Sequence, residues 1–134
     1  VRYVVDAGVL LGIATGDIDV HSKHQLVAPS IVRSQVVGLL LDAVRGGSLQ
    51  RAEAHKQLEQ LAGIKVRLLN DRVSRRVSFD LAERHGWELA DAEYVAVCQL
   101  QADALVTLDA TFAARVAGIV EVVPVTALEV GAAG

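Results

Sequence analysis

Residues 87–109 read WELADAEYVAVCQLQADALVTLD. From about Asp91 to Gln101 the run is apolar almost all round, through Tyr94, Val95, Ala96, Val97, Cys98 and Leu100. A helix of that kind belongs inside a domain rather than on its surface. Ala104 to Leu108 follows, a short apolar run without polar alternation, as a central strand of a parallel sheet requires. A carboxylate stands at each outer end: Asp91 opens the helix and Asp109 closes the strand. Acids at the carboxyl ends of such strands lie where open α/β sheets bind their ligands. A lone Asp there is more often the N-cap of the next helix. Here a third acid, Asp6, shifts the balance.

Outward from that stretch, strands and helices alternate. Tyr3 to Val5 is an apolar strand ending in Asp6, and Gly8 with Val9-Leu10-Leu11 starts a helix that Gly12 and Gly16 break. Asp17 to His24 is polar, a short helix or loop. His21 and His24 there have no third ligand near them, which argues against zinc. Gln25 to Ala28 is a second strand, stopped by Pro29, and Ser30 caps a helix over Ile31 to Arg45. Its apolar stripe is wider than one core face needs, and the surplus around Val36, Leu40 and Leu41 implies a partner surface. Arg51 to Leu61 pairs with it as a helical hairpin. Ile64 to Leu69 is the third strand and Asp71 to His85 an amphipathic helix. After the organising pair come a short helix, Phe112 to Ala117, and a last strand, Val120 to Val125, with Pro124 suited to an edge. The reading is one α/β domain over 1–129 with a mainly parallel central sheet flanked by helices, and a flexible tail over 130–134.

Composition sets limits. At 134 residues and 52% apolar, the chain is one domain with a real core and is not disordered. No run is long enough to span a membrane, and no charged segment precedes an apolar one as in an export signal. The single Cys98 lies in the most apolar helix; it reads as a small core residue and fits a reducing cytoplasm. A net charge of −3 argues against a general polyanion binder, while a site that gathers acids around a divalent cation tolerates it.

Asp6 and Asp109 each end an apolar strand, and Asp91 begins the helix leading into the second of those strands. If the strands are neighbours, three carboxylates meet at one crevice. Without a counterion such a cluster takes up a proton. Mg²⁺ or Mn²⁺ resolves the repulsion, prefers oxygen ligands, and activates water for attack on a phosphodiester.

Four blocks resemble the PIN-domain family: Val4-Val5-Asp6-Ala7-Gly8-Val9-Leu10, Ala28-Pro29-Ser30 before a helix, Asp91-Ala92-Glu93-Tyr94-Val95-Ala96, and Leu105-Val106-Thr107-Leu108-Asp109. The likeness is greatest to VapC-type toxins of bacterial toxin–antitoxin systems and covers almost the whole chain in order. The resemblance implies a parallel-sheet fold, Mg²⁺- or Mn²⁺-dependent endoribonuclease activity, a homodimer, and a cognate antitoxin that blocks the site. It makes Asp6, Asp91 and Asp109 the metal-site acids, with Thr107 orienting the site through its hydroxyl and Glu93 a further acid nearby.

One position departs from the family. A Glu is usual early in the helix after the proline, and Gln35 stands in its place. An amide oxygen ligates weakly and brings no charge. Asp42 lies two turns on and Glu53 in the next helix, neither an evident substitute. The alternative function is therefore a catalytically weakened PIN domain that binds protein or RNA. A phospho-acceptor receiver domain is disfavoured: it needs an acidic pair at the first strand and a Lys after the last. Arg33, Arg72, Arg75 and Arg76 are candidate phosphate contacts, with Arg72 and Arg76 on one helix face. A solvated charged face is an equally good account of them. Few aromatics means little base stacking.

Overall fold

In a computed structural model, which describes residues 1–131, the elements run β1 (Arg2–Val5), α1 (Ala7–Thr15), β2 (Gln25–Pro29), α2 (Val32–Arg45), α3 (Arg51–Ala62), β3 (Arg67–Leu69), α4 (Arg72–His85), α5 (Leu89–Gln101), β4 (Ala104–Val106), α6 (Ala110–Val116), β5 (Val122–Val123) and α7 (Thr126–Glu129). The strands form one parallel sheet in the order β3-β2-β1-β4-β5. Val4, Val5, Ala28, Leu105 and Val106 are all fully buried, as strands covered on both faces must be. Right-handed crossovers put α1–α3 on one face and α4–α6 on the other. Contacts agree: α1 packs on α2 and α3, and α4 packs on α5. The expected α/β architecture is present, with β1 and β4 at its centre.

Helix α5 is the inner helix. Ala92, Tyr94, Val95, Ala96, Val97 and Cys98 are all buried, between α4 and strands β1, β2 and β4. Burial pushes the Cys98 thiol up to about 11, so it behaves as a small apolar core group. Asp91 does not open this helix, however. The helix starts at Leu89 with Glu88 at its N-cap, and Asp91 sits in its first turn.

Four other boundaries differ from the sequence reading. Gly12 does not break α1, which continues to Thr15 and ends at Gly16, whose φ of 88° needs a residue without Cβ. One glycine costs a helix only about 1 kcal/mol, and Gly12 leaves room for Ile18 from the following turn. A Cβ at Gly12 would lie 2.5 Å from Ile18 Cδ1. Strand β3 pairs only over Arg67–Leu69, and β5 only over Val122–Val123 because Pro124 lacks the N–H to continue. A final short helix, α7, follows Val125 and buries Leu128. Much of the tail assigned to 130–134 lies outside the described residues.

The stripe on α2 divides. Val36 and Leu40 belong to the chain's own core, whereas Val37, Leu39 and Leu41 are exposed. The apolar surplus is real, but of the three residues expected to form it only Leu41 does, joined by Val37 and Leu39.

Two helical glycines in different surroundings give opposite outcomes on substitution. Gly38, in α2, has nothing within 4 Å of an added Cβ. Gly38→Ala should therefore stabilise the fold by about 0.5–1 kcal/mol. Gly12→Ala should destabilise it by about 1–2 kcal/mol, because displacing buried Ile18 outweighs the helix gain. Denaturant midpoints of the two variants check both signs.

Candidate functional site

The sheet reverses its winding direction between β1 and β4, which is where open α/β sheets form their ligand crevice. Parallel pairing sets Val5 beside Val106. The next residues, Asp6 and Thr107, therefore emerge together at the carboxyl edge. The Thr107 hydroxyl donates to Asp6 Oδ2. The Thr107 hydroxyl oxygen in turn accepts the Asp109 backbone N–H at 3.0 Å. Thr107 thus clamps the ends of both strands. Asp6 Oδ1 accepts the Val9 N–H at 3.1 Å and caps α1, while Asp109 Oδ1 accepts the Phe112 N–H at 3.0 Å and caps α6. Each strand-end acid is an N-cap through one oxygen and presents the other to its surroundings.

Asp6, Asp91, Asp109 and Gln35 line one open crevice of about 580 Å³. Asp91 is engaged by the Arg115 guanidinium of α6, the one salt bridge among the described residues. Gln35 Oε1 accepts the Tyr94 hydroxyl, which ties α2 to α5 across the crevice. Burial raises the Asp6 carboxyl above its ordinary value, and the charge of Asp109 adds to the rise; the bonds from Thr107 and Val9 oppose it. Burial likewise raises the Tyr94 phenol, with the Asp6 charge contributing, so Tyr94 stays a neutral donor.

The same crevice holds a residue the sequence reading set aside. Asp42 lines it, seven residues after Gln35. At 3.6 residues per turn, that spacing returns to the same helix face, a signal present in the sequence. Arg115 was not anticipated. Nothing local marks it, because it meets Asp91 only when α6 packs beside the start of α5. Glu93 is placed elsewhere: it lines a small crevice with Pro29, Ser30 and Arg75. Successive helical residues point about 100° apart, so Asp91 and Glu93 cannot share a direction. Arg33, Arg72 and Arg76 are exposed and do not line the acidic crevice.

Four carboxylates and one amide oxygen around a single crevice form a hard-oxygen donor set. Among the described residues, no three His, Cys, Asp or Glu side chains already enclose a metal position. Mg²⁺ does not require a closed cage; it keeps several waters and takes one or two carboxylates. Among the described residues, the unbonded Asp109 oxygen and the raised pKa of the buried Asp6 carboxyl, whose charge lacks a counterion, fit such an ion.

Solved structures share this fold. PAE2754 from Pyrobaculum aerophilum is 24% identical over 96% of this chain and 92% of its own, with a TM-score of 0.74. VapBC-1 from nontypeable Haemophilus influenzae is 13% identical over 94% and 99%, with a TM-score of 0.58. A toxin–antitoxin complex from Klebsiella pneumoniae is 17% identical over 90% and 95%, with a TM-score of 0.51. No protein-family model and no curated protein matches the sequence.

The raised pKa of Asp6 fixes the sign of a pH effect. A carboxyl whose folded value lies above its unfolded one contributes stability that is full below the unfolded value, 3.8, and is lost as pH rises through the folded value. Asp6→Asn should therefore stabilise the metal-free protein at neutral pH and flatten its stability profile above pH 3.8. Thermal melts from pH 4 upward in EDTA check this, and an unchanged slope would mean that Asp6 carries no strained charge.

Proposed function

We propose that this chain, whose fold is the PIN fold of VapC-type toxins, is a metal-dependent endoribonuclease and the toxin of a toxin–antitoxin pair. The observation that carries the reading is the Thr107 clamp. It fixes Asp6 and Asp109 side by side at the switch point, in a crevice lined by four carboxylates of which only Asp91 is paired with a guanidinium among the described residues.

Asp6 and Asp109 would hold Mg²⁺ or Mn²⁺, with Asp91 joining once it leaves Arg115. The ion, when bound, supplies a water of lowered pKa and stabilises charge on the phosphoryl oxygens. The remaining work falls to the chain. Thr107 fixes the direction of the Asp6 carboxylate. Tyr94 holds the Gln35 amide, so its oxygen reaches the site only if that bond opens. Arg115 is partly exposed. An RNA phosphate offers it the same kind of oxygens that Asp91 offers now.

The partners follow from the same reading. RNA is the substrate, and a cognate antitoxin covers the crevice. A second copy of the chain docks through exposed apolar residues of α2, Val37 and Leu41. The cytoplasm is the compartment that fits a buried free thiol and an antitoxin partner; among the described residues, no helix is long and apolar enough to cross a membrane. A second reading, a weakened PIN domain that binds protein or RNA, is favoured by one observation: the Tyr94 hydroxyl already occupies the Gln35 oxygen.

Metal titration and RNA cleavage, with and without EDTA, separate the two readings. The parent should cleave generic RNA with Mg²⁺ or Mn²⁺ and stop in EDTA, and Asp6→Asn or Asp109→Asn should abolish cleavage. Gln35→Glu should tighten the metal by about 1–3 kcal/mol, the gain of a charged over a neutral contact, and raise the rate. Arg115→Ala should also tighten the metal by freeing Asp91, with little effect on stability because a partly exposed pair contributes little. A parent that binds metal but never cleaves would favour the binding module; one that binds neither metal nor RNA would end the nuclease reading.

A further inference from the structure

The opposite edge of the sheet carries a second cavity, of about 630 Å³. Arg2, Gln25 and Arg67 are the first residues of β1, β2 and β3. All three line this cavity, which therefore lies across the amino ends of adjacent strands. Lys65, His21 and His24 join them. No carboxylate is among the described lining residues, in a chain with 16 acids against 13 Lys and Arg. Arg2 Nε donates to Gln25 Oε1 at 3.1 Å, and among the described residues none of Arg2, Lys65 and Arg67 forms a salt bridge. Asp103 accepts the Arg2 backbone N–H at 2.8 Å but lines a separate depression.

His24 supplies an independent observation. Its ring is 8% exposed, packs edge-on against Tyr3, and lines the cavity. Nε2 faces the Val130 carbonyl oxygen and so carries the hydrogen. Nδ1 is then a bare lone pair, buried and without a partner among the described residues. Such a group calls for a donor. A neighbouring ring is arranged the other way: His21 Nδ1 accepts the Lys23 N–H at 3.1 Å, which leaves its Nε2 a donor. Ile13, Val20, Leu26 and Ile64 make the remaining wall apolar.

We propose that this cavity binds a nucleoside monophosphate. Arg2, Lys65 and Arg67 would take the phosphate, and the sugar and base would lie along the apolar wall beside the His21 and His24 rings. Neither fragment uses both features: inorganic phosphate leaves the wall empty, and a nucleoside leaves the cations unpaired. The site is separate from the acidic crevice and does not depend on nuclease activity.

The test is calorimetry with AMP in EDTA, where the acidic crevice repels phosphate, alongside inorganic phosphate and adenosine. One AMP should bind per chain, about tenfold or more tighter than either fragment, since each fragment loses one set of contacts. Lys65→Glu and Arg67→Glu change exposed residues and should leave the fold intact while weakening AMP by about tenfold or more. Asp6→Asn should leave AMP affinity unchanged. Nitrogen resonances of His21 and His24 should shift on titration, while those of His55 and His85, on α3 and α4, should not. No binding at millimolar AMP, or binding indifferent to both charge reversals, would overturn the proposal. So would phosphate binding as tightly as AMP, or shifts spread over all four histidines.

Discussion

Everything at the acidic crevice depends on the pairing of β1 with β4 and on the hydroxyl that locks their ends. Val5 lies beside Val106, so Asp6 and Thr107 leave the sheet together. Thr107 then joins the Asp6 carboxylate to the Asp109 backbone. Two acids far apart in sequence are held in one place by a short hydroxyl bridge at the strand ends rather than by long flexible side chains. The apolar strands behind them supply the rigidity, since Val4, Val5, Leu105 and Val106 are wholly out of water.

Capping and site-building turn out not to be alternatives. Asp6 and Asp109 each satisfy a helix N–H with one oxygen; the other oxygen of Asp6 takes the Thr107 hydroxyl, and that of Asp109 is left for the crevice. A cap bond fixes the rotamer of the carboxylate, which a binding site needs in any case. Burial raises the Asp6 pKa, and the neighbouring Asp109 charge adds to the rise. Arg115 relieves part of that charge through Asp91, and Tyr94 holds Gln35 without adding any. The crevice is thus poised between internal pairing and an external cation.

Charge is also sorted along the strand direction. The carboxyl edge gathers Asp6, Asp42, Asp91 and Asp109, while the amino edge gathers Arg2, Lys65 and Arg67 with two histidines. Parallel strands make this possible, because every strand contributes its start to one edge and its end to the other. A chain with a net charge of only −3 can therefore present two strongly different surfaces.

The sequence by itself determined the α/β class, the central buried helix and strand, and three acids at element ends. Hydrophobic periodicity and strand-end position are local signals, and they survive folding because the core enforces them. Boundaries failed where a local signal was overruled. Gly12 reads as a breaker until Ile18 is seen to need its bare face, and β3 and β5 end where pairing ends rather than where apolarity does. Asp42 was legible through its two-turn spacing from Gln35. Arg115 opposite Asp91, Tyr94 on Gln35, and the basic cavity at the amino edge were not. Each joins residues from elements distant in sequence, and only the packing of the helices on the sheet decides which of them meet.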